Sequence, residues 1–177
     1  MKRLFVIFLI GAICLLVGCS DKETSQKQKA TTQTSAKAYY DSGNTHIEQG
    51  EYDKVIASYK EATRLNPDYA EAHFNLGNTY FRQGELDKAI ASYKEVIRID
   101  PDYAEAHFNL GNAYIEQDKY DKAIESYKKG IAINPTDAQA HTNLGIAVVN
   151  AGDGAEETVR VLLAAGARPC HVQLNGL

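Results

Sequence analysis

The feature that most constrains this chain is a period of 34 residues. Residues 70–103 and 104–137 agree at 21 of 34 positions, and both open with the run Ala-Glu-Ala-His-Phe-Asn-Leu-Gly-Asn. Residues 36–69 match the unit that follows at 20 of 34 positions. At this spacing each unit is one supersecondary element that cannot bury its apolar face alone, so neighbours must stack to build a continuous core. Three clear copies meet the minimum that such arrays need. A chain of 177 residues has room for one domain of this kind and for little beyond it.

The apolar residues within a unit have the helical period. In 70–103, Leu76, Tyr80, Ala89, Ile90, Tyr93 and Ile97 fall on the inward faces of two helices. The first is predicted over about Tyr69 to Gln83. Asp68 and Glu71 have the spacing of N-cap and N3 in a capping box, and Gly84 supplies the left-handed residue that ends the helix. Asp102 with Glu105 and Thr136 with Gln139 repeat the box. The second helix is predicted over about Leu86 to Ile99. Pro101 stops it, because proline donates no hydrogen bond and restricts the residue before it. Gly77 and Ala89 are small where two helices must approach, and a Tyr fills the gap beside them. Asp118 takes the turn position that Gly50 and Gly84 hold elsewhere.

The pattern His73-x-x-Leu76-Gly77-x-x-Tyr80, then Ala89-x-x-x-Tyr93, then Pro101 recurs as His107-x-x-Leu110-Gly111-x-x-Tyr114, Ala123-x-x-x-Tyr127 and Pro135. It resembles the tetratricopeptide repeat, with His where that family more often has Trp and Tyr where it often has Phe. The resemblance implies an all-α, right-handed superhelix, an α-solenoid of helix-turn-helix repeats with one concave side. Repeat 1 is residues 36–69, repeat 2 is 70–103 and repeat 3 is 104–137. Repeat 1 is looser at its start, where Tyr39, Ser42 and His46 replace the pattern's His, Leu and Tyr, and returns to type with Val55, Tyr59 and Pro67. Residues 138–169 keep His141, Leu144 and Gly145, then depart: Val148 replaces Tyr, Gly152-Asp153-Gly154 loosens the turn and Glu157 stands where a small Ala belongs. Val159, Leu162 and Leu163 still form a helical stripe. We read this unit as a degenerate fourth repeat or capping pair, which solenoids require. Residues 156–167 also resemble the second helix of an ankyrin repeat, an alternative ranked below the cap. Residues 170–177 have no periodicity and read as a frayed tail.

The N-terminus reads Met1-Lys2-Arg3, an apolar run from Leu4 to Val17, then Gly18-Cys19-Ser20. Two cations before a run this short fit a signal peptide over 1–18 rather than a spanning helix, which needs about 20 apolar residues. Leu16-Val17-Gly18-Cys19 resembles the bacterial lipobox, which implies that Cys19 carries a diacylglyceryl group and becomes the mature N-terminus. Each buried methylene of such a lipid contributes about 0.8 kcal/mol to membrane attachment. In that family's sorting rule Asp after the cysteine favours the inner membrane; Ser20 stands here, so the outer membrane is preferred and the chain faces the periplasm or the exterior. Residues 20–35 hold one Ala and no larger apolar residue, so 19–35 is expected to be a flexible tether with a reach of roughly 20 to 25 Å. The remaining Cys14 and Cys170 give no disulfide framework.

The resemblance implies a use for the concave side: such grooves bind extended peptides and are lined largely by the second, fifth, ninth, twelfth and thirteenth residues of each first helix. Carried to this chain, the fifth are Tyr40, Phe74 and Phe108, the ninth Asn44, Asn78 and Asn112, and the twelfth Ile47, Phe81 and Ile115. Spacings of four and three put them on one helical face. The second and thirteenth positions are mixed in charge, Lys37, Glu71, Glu105 and Glu48, Arg82, Glu116, without the basic cluster that grips a C-terminal carboxylate in some members.

Enzyme chemistry is not expected. There is no phosphate loop, nucleophile elbow or cysteine pair with zinc spacing, and the glycosyltransferase part of the repeat-bearing N-acetylglucosamine transferases, whose superhelix this one resembles, is missing. His73, His107 and His141 recur with the period, but stacked helices stand about 8 to 10 Å apart, too far to share one ion. Neither a metal nor a cofactor is implied. Net charge is −4, and loss of Lys2 and Arg3 with the leader leaves 17 basic against 23 acidic residues, so no nucleic-acid partner is expected. With no enzyme chemistry in view, no small-molecule substrate is expected either. The expected partners are other proteins, with the membrane reached through the lipid. Two readings follow: a peptide-binding adaptor, or a structural assembly factor of an envelope complex of pilus or secretion type that works through other surfaces or self-stacking.

Overall fold

The computed structural model describes residues 26–152. The leader and Cys19, the second half of the fourth unit with its ankyrin-like alternative, and the tail lie outside the described residues. Within them the chain forms seven helices and no strand: α1 (26–48), α2 (Tyr52–Leu65), α3 (Ala70–Arg82), α4 (Leu86–Ile99), α5 (Ala104–Ile115), α6 (Tyr120–Ile133) and α7 (Ala138–Ala151). Consecutive helices pack along the array, and first helices also meet across it, α3 on α5 and α5 on α7. This is an all-α solenoid with a two-layer core.

The core repeats like the sequence. Tyr59, Tyr93 and Tyr127 are its largest fully buried side chains. Each ring lies against a glycine one helix earlier: a Cβ on Gly43, Gly77 or Gly111 would stand 2.5, 2.7 and 2.7 Å from the ring's Cε1. The glycine is therefore the space that the ring occupies. Each hairpin then turns through a left-handed residue, at Gly50 (φ 72°), Gly84 (φ 74°), Asp118 (φ 55°) and Gly152 (φ 81°). Aspartate tolerates this conformation at some cost, and Asp118 Oδ1 offsets part of it by accepting from the Tyr120 hydroxyl at 2.7 Å.

Two expectations are corrected. The capping boxes do not form: Tyr69 and Tyr103 are the N-cap residues of α3 and α5, and neither makes a side-chain cap bond. At α7 the cap is Asp137, one residue past Thr136, accepting from the Ala140 N–H at 2.7 Å. Other bonds hold these loops. His73, His107 and His141 each place Nε2 against the carbonyl of Pro67, Pro101 and Pro135, at 3.0, 3.1 and 2.9 Å. That is why the family's Trp position accepts His here: the ring packs and also ties down the preceding turn. Secondly, α1 includes residues 26–35, so ten residues expected in the tether are helical. Their side chains are mostly exposed, and Thr31, Thr32 and Thr34 donate to carbonyls four residues back. The segment lacks apolar residues to pack but carries on the helix that repeat 1 nucleates.

Candidate peptide-binding groove

The first helices α1, α3 and α5 line one side of the solenoid, and the predicted residues divide there into three groups. The asparagines form a ladder. Asn44 Oδ1 accepts from the Tyr59 hydroxyl at 2.6 Å. Asn78 Oδ1 accepts from the Tyr93 hydroxyl at 2.8 Å and from Asn109 Nδ2, in the next repeat, at 2.9 Å. Asn112 Oδ1 accepts from the Tyr127 hydroxyl at 2.6 Å and from Asn143 Nδ2 at 3.0 Å. Each amide thus spends its oxygen on the protein, while Nδ2 of Asn44, Asn78 and Asn112 has no partner among the described residues.

Burial pushes the phenol of Tyr59 up to about 12, and those of Tyr93 and Tyr127 well above the usual tyrosine value. All three remain neutral donors at physiological pH, and none can serve as a base there.

The twelfth-position residues Ile47, Phe81 and Ile115 are half-buried and pack on the core. The fifth-position rings pack against neighbouring helices, and the Tyr40 hydroxyl joins the ladder by accepting from Asn75 Nδ2 at 3.1 Å. Tyr40 lies 5.7 Å from the Tyr59 ring and 5.0 Å from Tyr69, and Phe74 lies 6.1 Å from Tyr93 and 5.1 Å from Tyr103. Phe108 is buried, with Cε1 only 2.3 Å from where a Cβ on Gly130 would stand.

What does come together is a hollow of about 250 Å³ lined by Asn78, Phe81, Arg82, Tyr93, Asn109 and Asn112. Three of these, Asn78, Phe81 and Asn112, were named from position. Arg82 was named as a thirteenth-position charge; Tyr93 and Asn109 were missed as site residues, although both recur with the same period as the ladder they complete. On the opposite side, between second helices, are two further clefts. One of about 430 Å³ has Leu76 and Tyr80 on its floor and Lys60, Arg64 and Arg98 at its rim. The other, of about 370 Å³, sets Leu110 and Tyr114 beside Lys94, Lys122 and Lys129. Among the described residues no helix is long and apolar enough to cross a membrane.

Stacked helical hairpins with a polar ladder along one side define a protein–protein interaction module. The chain belongs to the tetratricopeptide repeat family: the pattern described as TPR repeat matches residues 43–84, 77–118 and 111–152. No curated protein matches the chain. Among solved structures, MamA is 30% identical over 80% of this chain and 81% of that one, with a TM-score of 0.71. The first TPR of Spaghetti (RPAP3), bound to the HSP90 peptide SRMEEVD, is 21% identical over 68% of this chain and 95% of that one, with a TM-score of 0.65. The Arabidopsis OM64 TPR domain is 18% identical over 66% of this chain and 96% of that one, with a TM-score of 0.63. At these last two identities the likeness is one of fold.

Proposed function

We propose that this chain is a membrane-anchored, non-enzymatic interaction module whose concave groove binds extended peptide segments of other proteins. The observation that carries the reading is the row of unspent amide donors. Asn44, Asn78 and Asn112 each hold an N–H₂ group in fixed orientation at successive steps of the groove, and a peptide backbone offers carbonyls to such a row. A peptide-bound structure among the similar solved folds lends the reading plausibility of form. Anchoring rests on the leader and on Leu16-Val17-Gly18-Cys19. Through it the chain sits in the cell envelope, on the outer membrane by the Ser20 rule, facing the periplasm or exterior.

The test is affinity capture from solubilised envelopes with the chain and with an Asn78→Ala, Asn112→Ala double variant, both checked for equal helicity. A partner kept by the first and lost by the second supports the groove; one held equally by both removes it. For the anchor, Cys19→Ser should abolish incorporation of labelled palmitate, and retained labelling refutes the lipid site. A second reading, the assembly factor, is favoured by the two clefts between second helices, whose apolar floors and rims of Lys and Arg set beside Glu95 and Glu125 suit a docking partner. Lys94→Glu with Lys122→Glu should disrupt that contact and leave groove binding intact.

A further inference from the structure

Four residues beyond each ladder asparagine, the same helical face presents a charge: Glu48 after Asn44, Arg82 after Asn78 and Glu116 after Asn112. All three are exposed, and none has an ion-pair partner among the described residues. The contrast within the chain is direct. Arg64 is held by Glu61, and Arg98 by Glu95 and Asp68, whereas Arg82 faces the groove hollow free. Its charge is felt by the Tyr93 phenol, as that of Glu116 is felt by Tyr127 one repeat on, so the two charges hold equivalent places. Along the array the groove therefore reads negative, positive, negative.

Side chains of neighbouring first helices bond directly, Asn109 to Asn78 and Asn143 to Asn112, so each step is one helix spacing, about 10 Å. A chain extended in the polyproline II form covers about 9 Å in three residues and brings every third side chain back to the same face. Glu71 and Glu105 add negative charge at the other edge, while Lys37 is neutralised by Asp41 at 2.9 Å.

We infer that the groove's ligand is an extended segment whose charges alternate at every third residue, basic, acidic, basic, with the acidic residue at Arg82. The inference rests on the groove reading above and adds to it the register and charge of the partner. Segments acidic throughout meet four carboxylates and are rejected.

The experiment titrates the full chain into two end-blocked, fluorescein-labelled peptides, Lys-Thr-Val-Glu-Thr-Val-Lys and its charge inverse Glu-Thr-Val-Lys-Thr-Val-Glu, following anisotropy. The first should bind about tenfold tighter at low salt, as three exposed charge pairs against three repulsions would give. The difference should shrink in about 0.5 M salt, where screening acts within a few ångströms. Arg82→Glu, at an exposed side chain with no partner to lose, should reduce the preference severalfold. If both peptides bind equally and Arg82→Glu changes nothing, the alternation is overturned while the groove stands. If neither binds, the groove reading itself falls, and the alternation with it.

Discussion

Repeats 2 and 3 begin with the same nine residues, yet Phe74 and Phe108 end in different surroundings. Phe74 is half-buried beside Tyr93 and is covered by Tyr103, the N-cap residue of the next repeat. In repeat 3 the residue equivalent to Tyr103 is Asp137, and the residue equivalent to the buried Val96 is Gly130. With no tyrosine above and no side chain below, the Phe108 ring sinks until it lies over Gly130. The role of a residue in a first helix is thus set by the second helix and by the unit that follows.

The comparison can be broken most severely where the repeats are alike. Tyr59, Tyr93 and Tyr127 are neutral in the fold, and burial raises each above the value of about 10 that it has when unfolded. Below that value neither state is ionised and the stabilisation is complete. As pH rises past it the unfolded chain loses protons first, so stability falls from about pH 10 upward, through about 12 for Tyr59. Urea melts at stepped pH should show this limb, flattened in a Tyr93→Phe, Tyr127→Phe double variant.

Next is the site of the difference. Gly130→Val puts repeat 2's residue beneath Phe108 and should cost about 3 kcal/mol in urea denaturation. Combining it with Asp137→Tyr should recover part of the loss if the account of the sunken ring is right. Gly77→Ala and Gly111→Ala should each cost about 1 to 2 kcal/mol, a clash with the ring less the helix-propensity gain, and the two should agree. Tyr93→Phe alone should cost about 1 kcal/mol, because Asn78 Oδ1 keeps Asn109 as donor. Smallest, and of opposite sign, Asp118→Gly should gain up to about 1 kcal/mol by restoring the turn residue of repeats 1 and 2.

Much of this was legible in the sequence because the period carries it. The bounds of α4, the left-handed turns and the pairing of Gly77 with a tyrosine all follow from residues that recur at fixed spacing. What spacing along one helix could not show is what the next unit covers. Tyr40, Phe74 and Phe108 share a face with the ladder asparagines, yet Phe74 is covered by Tyr103 and Phe108 lies over Gly130, while Tyr40 meets Tyr69 and keeps its hydroxyl on Asn75. The Asp-x-x-Glu spacing also misled. Backbone bonds such as Tyr69 N–H to the Asn66 carbonyl, with the histidine behind them, already organise the turn, and Asp68 pairs with Arg98 at 3.1 Å instead of capping the helix.

The ladder has a consequence for how the groove meets its partner. Because Asn78 and Asn112 are each clamped at the oxygen by two donors from two different helices, their amide planes cannot turn over without loosening the stack itself. The donors facing the groove are therefore aimed before any ligand arrives, and little side-chain freedom remains to be lost on contact. The ordering cost of association falls on the incoming segment, and partners already stiffened into an extended form hold the advantage.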